Sequence, residues 1–105
     1  MAFPAPIGAE EDNPLIGKWI QKLKLGSMVT EFTPTTISST PADLDGKLLK
    51  KPEPMRVWYR RSDNYMLILF TEKGDEGIMA RLEGPDSLLL ILPGMGAHQL
   101  QRMSP

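Results

Sequence analysis

The stretch Gly17-Lys18-Trp19-Ile20-Gln21-Lys22-Leu23-Lys24-Leu25-Gly26-Ser27-Met28-Val29-Thr30-Glu31-Phe32 decides the fold. On an extended chain Trp19, Gln21, Leu23 and Leu25 share one face, and Lys18, Ile20, Lys22 and Lys24 share the other. This period of two is the pleat of a β-strand. Gly26-Ser27 then reads as a two-residue hairpin turn, with glycine supplying a positive φ. Met28, Thr30 and Phe32 continue one face, with Val29 and Glu31 opposite. Thr33-Pro34-Thr35 ends the second strand, because proline cannot donate to a central ladder.

The same beat runs outward to the end of the chain. Thr36–Thr40 is a weaker, polar strand stopped by Pro41. Met55–Arg60, Tyr65–Thr71, Gly77–Glu83, Ser87–Leu92 and Ala97–Met103 follow. Ser62-Asp63-Asn64, Lys73-Gly74-Asp75, Gly84-Pro85-Asp86 and Pro93-Gly94-Met95-Gly96 separate them. Short strands at this spacing predict an all-β, antiparallel up-and-down meander of about eight strands. Closing the meander into a squat barrel removes its sheet edges. Eight strands leave an interior just wide enough for side chains or one small ligand. Short strands and many large side chains argue for a filled core.

Two features of the meander leave alternatives open. Pro41 to Pro54 is a long, proline-marked connection. Its first part reads as a turn or one helical turn, and Lys47–Lys51 as a resumed strand. Tyr65–Thr71 and Ser87–Leu92 are apolar on both faces. Either a second copy or the long connection covers a second apolar surface, or the domain simply exposes some apolar atoms.

The totals bound the rest. The chain has 105 residues, one domain's worth, and a formal net charge of −1. That charge gives no electrostatic footprint for nucleic acid. No apolar run reaches the roughly 18 residues of a membrane helix. There is no cysteine, so disulfides and thiolate chemistry are excluded. Residues 1–14 carry three prolines and no period, and read as an extended or disordered leader before a single domain at 15–105. If a signal sequence or lipid anchor once preceded the leader, the periplasm or cell envelope is expected; otherwise the cytoplasm.

Catalysis is hard to assemble from these residues. His98 is the only histidine, and Ser87, Asp86 and His98 lack a nucleophile-elbow context. Met95, His98 and Met103 are near in sequence and chemically suit Cu(I). Methionine also fills irregular cores, and no metal or other cofactor is expected. Arg56, Trp58 and Arg60 lie on one face of their strand and form a candidate interaction patch, since aromatic and arginine side chains anchor interfaces.

Gly17-Lys18-Trp19 on the first strand resembles the G-x-W motif of lipocalins and the wider calycin group. In that family the tryptophan plugs the barrel floor, and a basic residue near the end of the last strand packs across its ring. Arg102 stands in the matching place, so the resemblance implies that Trp19 and Arg102 close the fold. The chain is shorter than a typical lipocalin and lacks its disulfide. It looks more like small bacterial lipocalin-like domains, often exported or lipid-anchored. The expected function is a non-enzymatic interaction or structural module, forming a homodimer or docking to a protein partner. The alternative is a small barrel that binds an apolar molecule or lipid through Phe32, Leu67, Leu69, Leu88 and Leu90.

Overall fold

Alternating inward and outward residues bounded by turn formers give eight strands in the computed structural model, which describes residues 13–103. They are β1 (Gly17–Lys22), β2 (Ser27–Phe32), β3 (Thr36–Ala42), β4 (Met55–Asp63), β5 (Met66–Thr71), β6 (Gly74–Gly84), β7 (Ser87–Leu92) and β8 (Gly96–Arg102). Each pairs antiparallel with its neighbour in sequence, and β8 returns to β1, closing the barrel. The expected leader lies outside the described residues except for Asn13 and Pro14. Asn13 is buried against the barrel, so the packed chain begins before residue 15.

The inward faces divide the interior in two. Leu15, Trp19, Phe32, Val57, Tyr59, Leu67, Leu69, Ala80 and Leu88 are buried together and fill the end of the barrel nearest the start of β1. Each such Leu or Phe contributes about 1.5–3 kcal/mol relative to exposure. The other end, ringed by the β1–β2, β3–β4, β5–β6 and β7–β8 connections, is not filled.

Three local expectations are corrected. The first hairpin turns at Lys24-Leu25, closed by Leu23 N–H donating to Gly26 O at 2.9 Å. Gly26 has no positive φ. It is small for another reason: a Cβ there would lie 2.9 Å from Ala42 O. Leu25, expected on the Trp19 face, sits at the turn tip and is 95% exposed.

Pro41 does not stop β3. β3 pairs with β4 only at Thr36↔Arg56 and Ile37↔Met55, so its later residues have no strand on that side. Pro41 O accepts from Leu49 N, which shows that its backbone faces this open edge. A missing N–H there removes no ladder bond.

Lys47–Lys51 does not resume a strand; the connection touches β3 through a single bridge, Ala42↔Leu48. It starts with a turn, not a helix. Asp43 Oδ1 accepts from the Asp45 and Lys47 amides, and Gly46 takes φ +87°. The segment then lies over the outside of β1–β3. Gly46, Leu48 and Pro52 meet Val29, Thr40 and Met103 around a small hollow there. Val29 and Thr40 are thereby buried although they point out of the barrel. The outward faces of β5 and β7 are not what the connection covers.

Candidate functional site

The closed end is built around Trp19. Its indole N–H donates to Leu15 O at 2.9 Å, tying the incoming chain beneath the barrel. Trp19 and Arg102 face each other across the β1–β8 seam, and the guanidinium carbon stands 4.3 Å from the indole centroid. Such a contact contributes about 0.5–2 kcal/mol. Arg102 also donates to Pro14 O at 2.8 Å, Ile16 O at 3.2 Å and Pro85 O at 3.1 Å. One side chain thus joins the entry segment, β8 and the β6–β7 turn. Gly17 takes φ +129°, and a Cβ there would lie 3.2 Å from Arg102 Nη1. Glycine at this position therefore serves both the backbone and the arginine.

The open end holds a cavity of about 590 Å³. Its two sides differ in chemistry. Gln21 of β1, Thr30 of β2, Ser39 of β3 and His98 of β8 come from four adjoining strands and form a polar wall. Met55, Ile78, Leu90 and Leu92 of β4, β6 and β7 form an apolar wall opposite. Met28, Ile37 and Leu100 add apolar surface beside the polar wall, and Lys50, Glu53, Lys73 and Met95 line the mouth. Lys50 and Glu53 pair with each other at 3.5 Å, largely in solvent.

Two side-chain bonds tie the polar wall together. Thr30 and Ser39 hydroxyls meet at 3.0 Å. Gln21 Nε2 lies 2.9 Å from His98 Nδ1. This bond holds the imidazole ring from its Nδ1 side. His98 Nε2 is buried with no partner among the described residues. A buried polar atom left without a partner costs about 1–3 kcal/mol.

Of the five apolar residues expected to bind a ligand, only Leu90 lines this cavity. Phe32, Leu67, Leu69 and Leu88 belong to the filled half. Arg56, Trp58 and Arg60 share the outer face of β4, where Trp58 is 50% exposed. The Arg56 guanidinium is 5.6 Å from the Trp58 ring, whereas Arg60 reaches across to Phe70 of β5 at 5.9 Å. Met95 and His98 both line the cavity, but Met103 lies outside the barrel by Gly46. Ser87 bonds Gln99, and Asp86 pairs with Arg102, so neither joins His98.

Gln21, Thr30, Ser39 and His98 had no place among the expected ligand contacts. Their signal was a polar side chain on an inward register position, beside Trp19, Phe32, Ile37 and Leu100 respectively in the strand alternation. No helix among the described residues is long and apolar enough to cross a membrane. No protein family, curated protein or solved structure matches this chain.

Proposed function

We propose that this chain is a small lipocalin-like barrel that takes up one compact, largely apolar molecule without transforming it. The observation that carries this is the half-filled interior. A cavity near 590 Å³, with one apolar wall and a few polar groups opposite, has the size and character of a small-molecule site. The Gly17-Lys18-Trp19 segment, with Arg102 over the Trp19 ring at the closed end of an eight-strand antiparallel barrel, supports the lipocalin-like part of the reading. The test is titration with the neutral fluorophore 1-aminoanthracene, with native mass spectrometry for stoichiometry. Saturable, enhanced emission at one probe per chain is the expected result. Absence of saturable binding rejects the reading.

A second reading has its own observation. Trp58 and Met79 are exposed on the outer face of β4–β6, beside the outward, partly buried Ile68 and Phe70 of β5. This face suits self-association or a protein partner, in keeping with aromatic and arginine enrichment at interfaces. Sedimentation over a range of concentrations tests it; a monomer throughout rejects self-association.

A further inference from the structure

We infer that residues 48–54 form a strap that opens the side of the barrel between β3 and β4, and that the ligand enters and leaves there. The inference rests on the ligand-binding reading above and adds the route and the moving part.

The barrel wall is incomplete beside the cavity. β3 and β4 pair only at Thr36↔Arg56 and Ile37↔Met55, so residues 38–42 have no strand on that side. Ser38 shows the consequence. It pairs with Glu31, which borders the outer hollow, so Ser38 faces out of the barrel. Ser38 nevertheless lines the cavity as well as the hollow. An outward side chain borders an interior space only where no strand closes the wall. The strap covers this gap, and its Lys50 and Glu53 line the cavity.

The strap is held at few points. Among the described residues its backbone bond to a strand is Leu49 N donating to Pro41 O at 2.9 Å, beside the single bridge Ala42↔Leu48. Pro52 and Pro54 lack an N–H and cannot extend that pairing along β3. Lys50 pairs with Glu53 of the strap itself. The turn before the strap is anchored and serves as the pivot: Ser27 Oγ donates to Asp43 O at 2.7 Å, and Lys22 Nζ donates to Leu44 O. The seam between β8 and β1 also has two register pairs, but Gln21 and His98 bond across it at 2.9 Å beside the cavity. Between β3 and β4 the added bonds, Val57 N to Thr35 O and Tyr59 Oη to Thr33 O, belong to the filled end. The strap is therefore the part of the cavity wall that opens at least cost.

The chain has no cysteine, so the strap can be stapled by a single engineered disulfide. Ala42 and Leu48 sit opposite each other between two backbone bonds, Asp43 N to Lys47 O and Leu49 N to Pro41 O, which makes them a non-hydrogen-bonded antiparallel pair. The Cα atoms of such a pair lie about 4.5 Å apart, within the disulfide range of about 4.4–6.8 Å. The experiment follows 1-aminoanthracene binding and release by stopped flow in the full chain carrying Ala42→Cys and Leu48→Cys, oxidised and then reduced with dithiothreitol. The oxidised form is expected to bind and release the fluorophore about tenfold more slowly, and the reduced form to follow the wild type. Equal rates in the oxidised and reduced forms overturn the inference, assign entry to the end of the barrel and leave the binding reading standing. Hydrogen exchange of the wild type gives a test that needs no disulfide: the Leu49 amide should exchange well before those of the β1–β2 ladder, and equal protection overturns the inference. Absence of saturable binding in every form removes the underlying reading instead.

Discussion

Single residues at the closed end carry several interactions at once. Trp19 is fully buried, fills the floor, donates to Leu15 and lies under Arg102. Truncating a buried tryptophan loses its transfer free energy and leaves a void, so Trp19→Ala is expected to lower stability by about 3–5 kcal/mol in urea unfolding. A loss under about 1 kcal/mol would contradict its place in the core. Gly17→Ala should cost about 1–3 kcal/mol, because φ +129° is foreign to residues with a Cβ and the methyl crowds Arg102. Tyr59 gives a pH signature. Its hydroxyl donates to Thr33 O at 2.8 Å, and burial pushes its ionisation above the ordinary value near 10. Above that value the unfolded chain ionises while the folded chain does not, so stability is retained below pH about 10 and falls above it. Tyr59→Phe should flatten that alkaline fall, read as the urea midpoint between pH 8 and 11. The alternation around Trp19 places Gln21 on the inward face, and the same rule places His98 there. Their bond was not legible, because 77 residues separate them and only the β8–β1 closure brings them together.

At the scale of the element, the connection from Asp43 to Pro54 is held differently from the strands it joins. β4 to β8 pair along most of their lengths, whereas β3 and β4 share two register pairs. The connection crosses this gap and brings Lys50 and Glu53 to the cavity mouth. Local opening free energy follows buried contacts and protected backbone bonds, both sparse here. Amides of the connection should therefore exchange with solvent well before those of β5 and β7 in native-state hydrogen exchange. Equal protection would mean that the segment opens only with the whole barrel. Asp43 is the fixed point, since its carboxylate accepts from two amides and its carbonyl accepts from Ser27 Oγ at 2.7 Å. The strands were legible because period-two alternation is local. Pro41 was misread because its tolerance depends on a missing neighbour across the β3–β4 gap, and no local pattern carries that.

For the whole molecule, the question is which surface does the work, since the barrel offers an amphipathic interior at one end and exposed Trp58 outside. A neutral fluorophore alone does not distinguish them, because an exposed aromatic patch also binds apolar dyes. Two substitutions do. Ile78 lines the apolar wall and packs against the core only in part. Ile78→Trp grows into space already present, so it should change stability by less than about 1.5 kcal/mol while occupying the volume a ligand needs. It is expected to weaken 1-aminoanthracene binding at least tenfold. Trp58 is half in solvent and is not among the cavity residues. Trp58→Ala should leave both the urea midpoint and the fluorophore affinity unchanged, as substitutions away from buried features usually do. The reverse pattern, with affinity kept in Ile78→Trp and lost in Trp58→Ala, would assign the binding to the outer sheet face. In that case the half-filled interior would be only a packing defect, and filling it should stabilise the fold without functional loss.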